Sequence, residues 1–217
     1  MLRLVAAFGL VALLGACSGT VNVPNANVSG LINSKPAPGH YAAMVQTGGW
    51  MLKTKPDGFV CSAWTFKTDV NKTYEDAMKS ILTRSLQKVD FVPNPLSPKD
   101  VKDKGYDAFV AIHQGNADSK FGIETGLFSS KGDSNVSLTS ILAITDDTGV
   151  INQETVTGKG SGKSSVFFCP SVNAAIAKAA QQAVQDIAKS TALYIRDDLK
   201  DREIRKLQAQ MKKGAGT

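Results

Sequence analysis

Residues 135–157 read NVSLTSILAITDDTGVINQETVT, and this stretch is the strongest indication of the fold class. Two runs rich in β-branched residues flank Asp146-Asp147-Thr148-Gly149, a strong signal for a tight turn between antiparallel strands. A helical pattern then runs from Ser171 to about Lys213, with apolar residues every three or four positions and alanines along the same face. The pattern predicts a hairpin followed by a long helix that packs closely on the sheet.

The segments before this hairpin predict further strands and two helices. Residues 41–55 and 58–68 are typical of a first hairpin, and Thr73-x-x-Asp76 predicts a capping box for a helix whose apolar spacing reaches Val89. Ser97 before Pro98 predicts a short second helix. The apolar run 106–113 predicts an interior strand with His113 as its polar end. We therefore predict an α+β domain: an antiparallel or mixed sheet, two helices on one face and a long C-terminal helix.

The N-terminus indicates export. Residues 4–16 are an uncharged apolar run of 13 residues, which as a helix reaches roughly 20 Å, short of the ~30 Å hydrocarbon layer but typical of a signal peptide. Leu14-Gly15-Ala16-Cys17 resembles the lipobox of bacterial lipoproteins. That resemblance implies cleavage before Cys17 and acylation of its thiol by chains such as palmitate, and Ser18 implies an outer-membrane protein facing the periplasm. The alternative is an N-terminal core helix with a buried free cysteine.

Composition divides the chain into four parts. We predict a signal peptide at 1–16, a lipidated N-terminus with a flexible tether at 17–40, an α+β domain at 41–195 and a charged helical tail at 196–217. The tether is predicted because 18–40 is rich in Asn, Gly and Pro and shows no sustained period. A strand near Val21 to Val28 is the alternative there.

Two cysteines remain once Cys17 is acylated. In an oxidising compartment an even pair predicts a disulfide, here between Cys61 and Cys169, which would close a loop of 108 residues. The alternative is two buried free thiols.

The tail carries a basic surplus and a thin apolar stripe. Residues 196–217 hold seven Lys and Arg against four Asp and Glu. We predict that Leu199, Ile204, Leu207 and Met211 bind a groove or helix of a partner. The alternatives are a basic end resting on anionic headgroups, and a solvated tail.

Several chemistries are disfavoured by residue types and spacing. Two histidines and three cysteines are too few for most multi-ligand zinc sites, so no metal or other cofactor is predicted. The Gly158–Ser164 stretch fails the phosphate-loop spacing and is interpreted as a solvated loop, while Asp147-Thr148-Gly149 is interpreted as a turn. The net charge of +6 is small for nucleic-acid binding, which an exported protein would not need. Six aromatic residues are predicted to lie in the core: Trp50, Trp64, Phe66, Phe109, Phe167 and Phe168.

The order of these elements resembles one protein family. Gly105-Tyr-Asp-Ala-Phe-Val-Ala-Ile112, Val136-Ser-Leu-Thr139 with its D-x-T-G hairpin, Gly158-Lys-Gly160, and Asn173–Ile176 with Ala183–Ile187 resemble YajG-type lipoproteins. A fainter version occurs in lipoprotein activators of penicillin-binding proteins and in the N-terminal domain of TolB. The resemblance covers roughly residues 73–195 and implies a non-catalytic envelope protein.

These observations favour one function over two others. We predict a non-enzymatic structural or accessory component of a cell-envelope assembly, held to the membrane through Cys17 and bound to an envelope protein. The first alternative is a carrier or chaperone for a lipid or other apolar ligand, which needs an open apolar groove. The second is an envelope hydrolase, which needs a cleft with converging carboxylates.

Overall fold

The computed structural model describes residues 17–31, 35–57, 61–126, 130–166 and 168–214, with only the backbone at 203–210 and 212–214. The strands are β1 (Ser18–Asn22), β2 (Ala37–Gln46), β3 (Met51–Thr54), β4 (Pro56–Asp57), β5 (Thr65–Asp69), β6 (Leu86–Phe91), β7 (Ala108–Thr125), β8 (Ser130–Asp146) and β9 (Gly149–Ser165). The helices are α1 (Asn71–Ser85), α2 (Pro98–Asp103) and α3 (Val172–Gly214), with a 3₁₀ turn at Cys169–Ser171. The predicted α+β class with a long C-terminal helix is confirmed.

Two sheets share this fold. The larger has the order β6-β2-β7-β8-β9, with β4 paired to part of β7, and the smaller has the order β1-β5-β3. β2 is parallel to both β6 and β7, whereas β7, β8 and β9 are antiparallel. The hairpin predicted around Asp146–Gly149 is therefore confirmed. The predicted first hairpin is wrong in part, because β3 pairs with β5 while β2 belongs to the other sheet.

The main core lies between one face of the large sheet and helices α1 and α3. Alternate residues of β8, such as Leu138 and Leu142, pack there against Ile81 of α1 and Val184 of α3. Helix α2 packs on the opposite face, where its Val101 joins Phe109 in a smaller cluster. Helices α1 and α3 thus cover one face of the sheet, and α2 covers part of the other.

The boundaries of α1 differ from the prediction. Thr73 lies inside the first turn, where it is buried and donates a hydrogen bond to the Val23 carbonyl, so it does not cap the helix. Asp76 instead pairs with Lys72. The helix ends at Ser85, and Val89 lies in β6 because the edge of β2 takes this segment as a parallel partner. The predicted Ser97 cap of α2 is confirmed, as Ser97 and Asp100 form a complete capping box.

The predicted flexible tether at 17–40 is wrong for much of its length. β1 pairs with β5, and Val21 and Val28 are buried. Gln181 and Gln185 of α3 donate to the carbonyls of Asn25 and Asn27. Polar residues dominate this segment, yet a few valines and the backbone amides suffice to fix it once a sheet edge and a helix are beside it.

The Gly158–Ser164 stretch is not a solvated loop but the second half of β9. Gly158, Gly160 and Gly162 face α3, where a Cβ at any of them would lie less than 3.0 Å from a helix carbonyl oxygen, of Ala183, Ala179 and Ala175 respectively. The alanines meet the glycines along the strand, so helix and strand backbones approach each other closely. The glycines that suggested phosphate chemistry therefore serve packing.

The predicted domain boundary at Ile195 is also wrong. Helix α3 continues without a break through that residue, and Leu199, only 6% exposed, packs in the main core. Arg202 forms an ion pair with Asp146 of β8. The packed part of α3 therefore extends to Arg202, and the helical character predicted for the tail is confirmed as backbone structure.

Candidate functional site

Cys17 lies at the very start of the described chain and is exposed and unbridged. Its carbonyl accepts a hydrogen bond of 3.0 Å from the Thr65 amide, and Ser18 pairs with Thr65 in the β1–β5 ladder. The residue to which the lipobox resemblance assigns a lipid is thus attached directly to a strand of the fold. Residues 1–16, the predicted signal peptide, lie outside the described residues.

The other two cysteines form the predicted disulfide. Cys61 and Cys169 are bridged, with 5.5 Å between their Cα atoms and a sequence separation of 108 residues. Cys61 has a φ of 65°, an uncommon conformation for a residue with a side chain. The bridge joins the segment before β5 to the turn that begins α3, so it lies at the same end of the molecule as Cys17.

A small second core fills this end, which we call the anchor end: Cys17, the disulfide, Phe168 and the core around Phe66. That core contains Val21, Phe66, Phe121, Val166, Val172 and Ile176. Phe66 was predicted to be a core residue and is, as are Trp50 and Phe109, while Trp64 is half-buried and stacks on Phe66. Phe168 contradicts the prediction, because its side chain is 78% exposed. Phe167 lies outside the described residues.

A cleft of about 720 Å³ opens at the other end of the packed part of α3. Its walls are the start of β2 with the residues before it, Asp107, and the stretch 196–202 of α3. We call it the distal cleft. Its lining is both apolar and charged, with the cations Lys35, Arg196, Lys200 and Arg202 and the anions Asp107 and Asp197.

Charges in and beside the distal cleft are partly compensated within the chain. Arg202 donates to Asp146 at 2.7 Å, and both side chains are more than 85% buried, whereas Arg196 pairs with Asp197 on the surface. Burial acts to raise the pKa of Asp146, but hydrogen bonds from Thr148 and the charge of Arg202 outweigh it and hold that pKa below its usual range. Lys35 and Lys200 leave the lining with a basic surplus.

The predicted partner-binding residues are divided by the structure. Leu199 belongs to the intramolecular core, which corrects the expectation that it faces a partner. Met211 is 66% exposed. The side chains of Ile204 and Leu207 lie outside the described part of the structure, so those two assignments stay predictions.

The histidines and acidic residues make local structural contacts. His40 bonds to Asp90 at 2.6 Å, and this bond lowers the pKa of the Asp90 carboxyl. His113 bonds to Gln46 and lies within β7, which continues to Thr125, so it is not the strand terminus that was predicted. Asp146 accepts two hydrogen bonds from Thr148, which makes the D-D-T-G stretch a turn.

Among the described residues, no cluster of three or more His, Cys, Asp or Glu side chains is arranged to hold a metal ion. Within the same residues, none of the helices combines the length and the apolar character needed to cross a bilayer.

The distal cleft and the exposure of Phe168 were not predicted from the sequence. The cleft joins residues near 36 to residues near 199, and no short-range pattern links segments so distant. The basic surplus of the tail was the one available signal for it. Phe168 lies between a predicted strand and a helix that begins near a proline. Neither a strand period nor a helix period includes this position, so the sequence does not indicate whether its side chain is buried.

The chain matches no protein-family profile and no curated protein. Solved structures similar to it include a DUF330 protein from Xanthomonas campestris, at 13% identity and a TM-score of 0.45, covering 84% of this chain and 98% of that one. A Helicobacter pylori homologue of neuraminyllactose-binding hemagglutinin has 13% identity and a TM-score of 0.46, with coverages of 86% and 100%. A minor lipoprotein from Acinetobacter baumannii has 11% identity and a TM-score of 0.39, with coverages of 72% and 93%. At these levels the similarities assign the chain to no family, and the resemblance to YajG-type lipoproteins stays a prediction.

Proposed function

We propose that this protein is a lipid-anchored, non-catalytic component of the bacterial cell envelope. It is held in the outer membrane through Cys17, faces the periplasm and acts by binding an envelope protein. The observation that carries the proposal is Cys17 itself: it ends the Leu14-Gly15-Ala16-Cys17 motif after an apolar run, and its thiol is exposed and unbridged at the start of the fold. Two or more acyl chains on a cysteine hold a protein stably at a membrane surface.

The anchor is tested by intact-mass measurement of the protein from its native membrane. We expect a mature chain that begins at Cys17 and carries acyl mass, whereas Cys17→Ser accumulates as unprocessed precursor. A Cys61→Ser/Cys169→Ser double variant is the matched control, because it removes two other cysteines and leaves the motif intact. A mature chain that begins elsewhere, with Cys17 unmodified, would overturn the anchor.

The binding surface that we assign to the partner is α3 beyond Arg202. The helix continues to Gly214, which is about 18 Å of helix past the ion pair of Arg202, and Met211 is exposed on it. A helix of this kind, with a thin apolar stripe among mixed charges, is suited to a groove or a helix on another protein.

Truncation after Arg202 tests this surface without disturbing Leu199 or the Arg202 ion pair. We expect the truncated protein to remain anchored and folded, with an unchanged thermal unfolding midpoint, and to lose its cross-links to other proteins in the native envelope. A Met51→Ser variant is the control, since Met51 is an exposed apolar residue elsewhere, 50% accessible. Undiminished cross-links in the truncated protein would show that the partner binds another surface.

The distal cleft favours a second candidate, a carrier for an anionic amphiphile. Its volume lies in the range of small-molecule sites, and its lining combines apolar residues such as Pro36 and Tyr41 with a basic surplus from Lys35 and Lys200. A fluorescent fatty acid is a direct probe of this function. Binding that is lost in Lys35→Glu/Lys200→Glu but kept in Lys189→Glu, an exposed position of α3 away from the cleft, would support the carrier. If the wild-type protein does not bind the fatty acid, the carrier function is excluded.

A further inference from the structure

The position of Cys17 relative to α3 fixes where a membrane would meet the fold. A Cβ at Gly19 would lie 3.5 Å from the Asn173 side-chain oxygen, in the first turn of α3, while Asn25 and Asn27 accept hydrogen bonds from Gln181 and Gln185 farther along. The N-terminal segment thus runs beside α3 and in the same direction. Cys17 lies at the N-terminal end of the helix, and β1 leaves no flexible linker between this residue and the fold.

Phe168 lies at the same end. The chain of contacts is short: Cys17 bonds to Thr65, Trp64 donates its amide to the Cys61 carbonyl, and Cys61 is bridged to Cys169, the neighbour of Phe168. The Phe168 side chain is 78% exposed, whereas Phe66 and Phe121 of the small second core are fully buried. A large apolar side chain is therefore exposed at the end of the molecule that contains Cys17.

We propose that the anchor end rests directly on the bilayer, with the Phe168 side chain inserted among the lipids beside the acylated Cys17 and α3 leading away from the membrane. This inference rests on the proposed function, because it takes Cys17 as the lipid-bearing residue. The occupant of the exposed Phe168 surface is the bilayer rather than another protein, since acyl chains on Cys17 enter the membrane from this surface with no tether to separate them. Apolar side chains at a membrane surface are stabilised by burial at the boundary of headgroups and acyl chains.

This seating has a consequence for the distal cleft. Arg196 and Arg202 follow Val172 by 24 and 30 residues of helix, or about 36 and 45 Å along the axis of α3. With the start of the helix at the bilayer, the cleft and the tail are presented to the periplasm, and the basic end of the chain does not rest on the headgroups of the same membrane.

Brominated phosphatidylcholine vesicles containing the purified acylated protein test the seating. We compare Phe168→Trp with Leu193→Trp, a matched control at a 40% exposed position of α3. The emission added by tryptophan at 168, over that of the wild type, is expected to be quenched by brominated acyl chains. Emission added at 193 is expected to be unaffected, because this position lies about 32 Å along the helix from Val172.

The same samples distinguish failure of the membrane seating from failure of the lipid anchor. Thermal unfolding shows that each variant is folded, and intact mass reports acylation of Cys17. Acylated protein without quenching at 168 overturns the seating and leaves the anchor standing, and so does quenching at 193, which would mean that α3 lies along the membrane. Protein that is not acylated at Cys17 overturns both the seating and the proposed function.

Discussion

At residues 175–183, helix α3 meets strand β9 backbone to backbone, whereas at residues 196–202 the same helix is held through side chains. In the first region a Cβ on Gly158, Gly160 or Gly162 would collide with helix carbonyl oxygens. In the second, Leu199 enters the core, Arg202 pairs with Asp146, and the distal cleft remains open beside them. The same helix thus lies in backbone contact with the sheet where glycines and alanines allow close approach, and borders an open cleft where larger side chains hold it.

The largest expected effect comes from adding a side chain to the close contact. In Gly160→Val, the added side chain would push the backbones of β9 and α3 apart. The atoms nearest to its Cβ are the Ala179 carbonyl oxygen and the Ala183 amide nitrogen, and neither can rotate away. We expect a loss of roughly 3–5 kcal/mol in the free energy of unfolding, or no folding at all. Urea unfolding measures it. Gly122→Ala on β7, where a Cβ would meet open space, is the control, and an equal loss there would refute the close-contact explanation.

Removing the disulfide is the next test, since it secures the N-terminal end of α3. Cys61→Ala/Cys169→Ala opens a loop with a sequence separation of 108 residues. Chain entropy sets a ceiling of about 4.7 kcal/mol for such a loop, and we expect a loss of about 2–4 kcal/mol. Comparing urea unfolding of oxidised wild type with the double variant measures it. Two reactive thiols in the denatured, unreduced wild type would show instead that no bridge forms.

At the distal end, the buried ion pair should matter more than the exposed one next to it. Arg202→Gln leaves Asp146 without its cation in a mostly buried site, and we expect a loss of about 1.5–3 kcal/mol. Arg196→Gln removes an exposed pair with Asp197 and should change the unfolding free energy by less than about 1 kcal/mol. Equal losses in the two variants would mean that the Arg202 pair is as weak as a surface pair.

The smallest expected effect is the pH dependence of this same contact. The native pKa of Asp146 is lowered, so its carboxylate stabilises the fold above the unfolded pKa of about 3.9, and this contribution is lost as the pH falls through the lower native pKa. Asp146→Asn should therefore be less stable than wild type at neutral pH and approach it in acid. Urea midpoints across the acid range measure the difference, with Asp133→Asn correcting for the lost charge. A gap that stays constant with pH would contradict the lowered pKa.

Local patterns predicted a large part of this molecule. The turn at Asp146–Gly149, the Ser97 cap of α2, the helical period after Ser171 and the pairing of Cys61 with Cys169 all follow from short-range chemistry or from counting, and the structure has each of them. Such features depend on neighbouring residues, or on how many cysteines an oxidising compartment leaves to be paired. The Cys17 motif is local in the same sense and carries the proposed function.

Other features depend on contacts between residues distant in sequence, and only the tertiary structure shows these contacts. Val89 lies in a strand because β2 offers an edge, and residues 17–31 are ordered because β5 and α3 lie beside them. From the sequence, Gly158–Gly162 could be interpreted only as a loop, because glycine has no side chain and so shows no hydrophobic period. The role of these glycines becomes visible only where the backbone of α3 approaches them. The distal cleft and the exposed Phe168 are of this kind as well. Periodicity reports which residues are buried, but only the assembled fold determines which segment buries them.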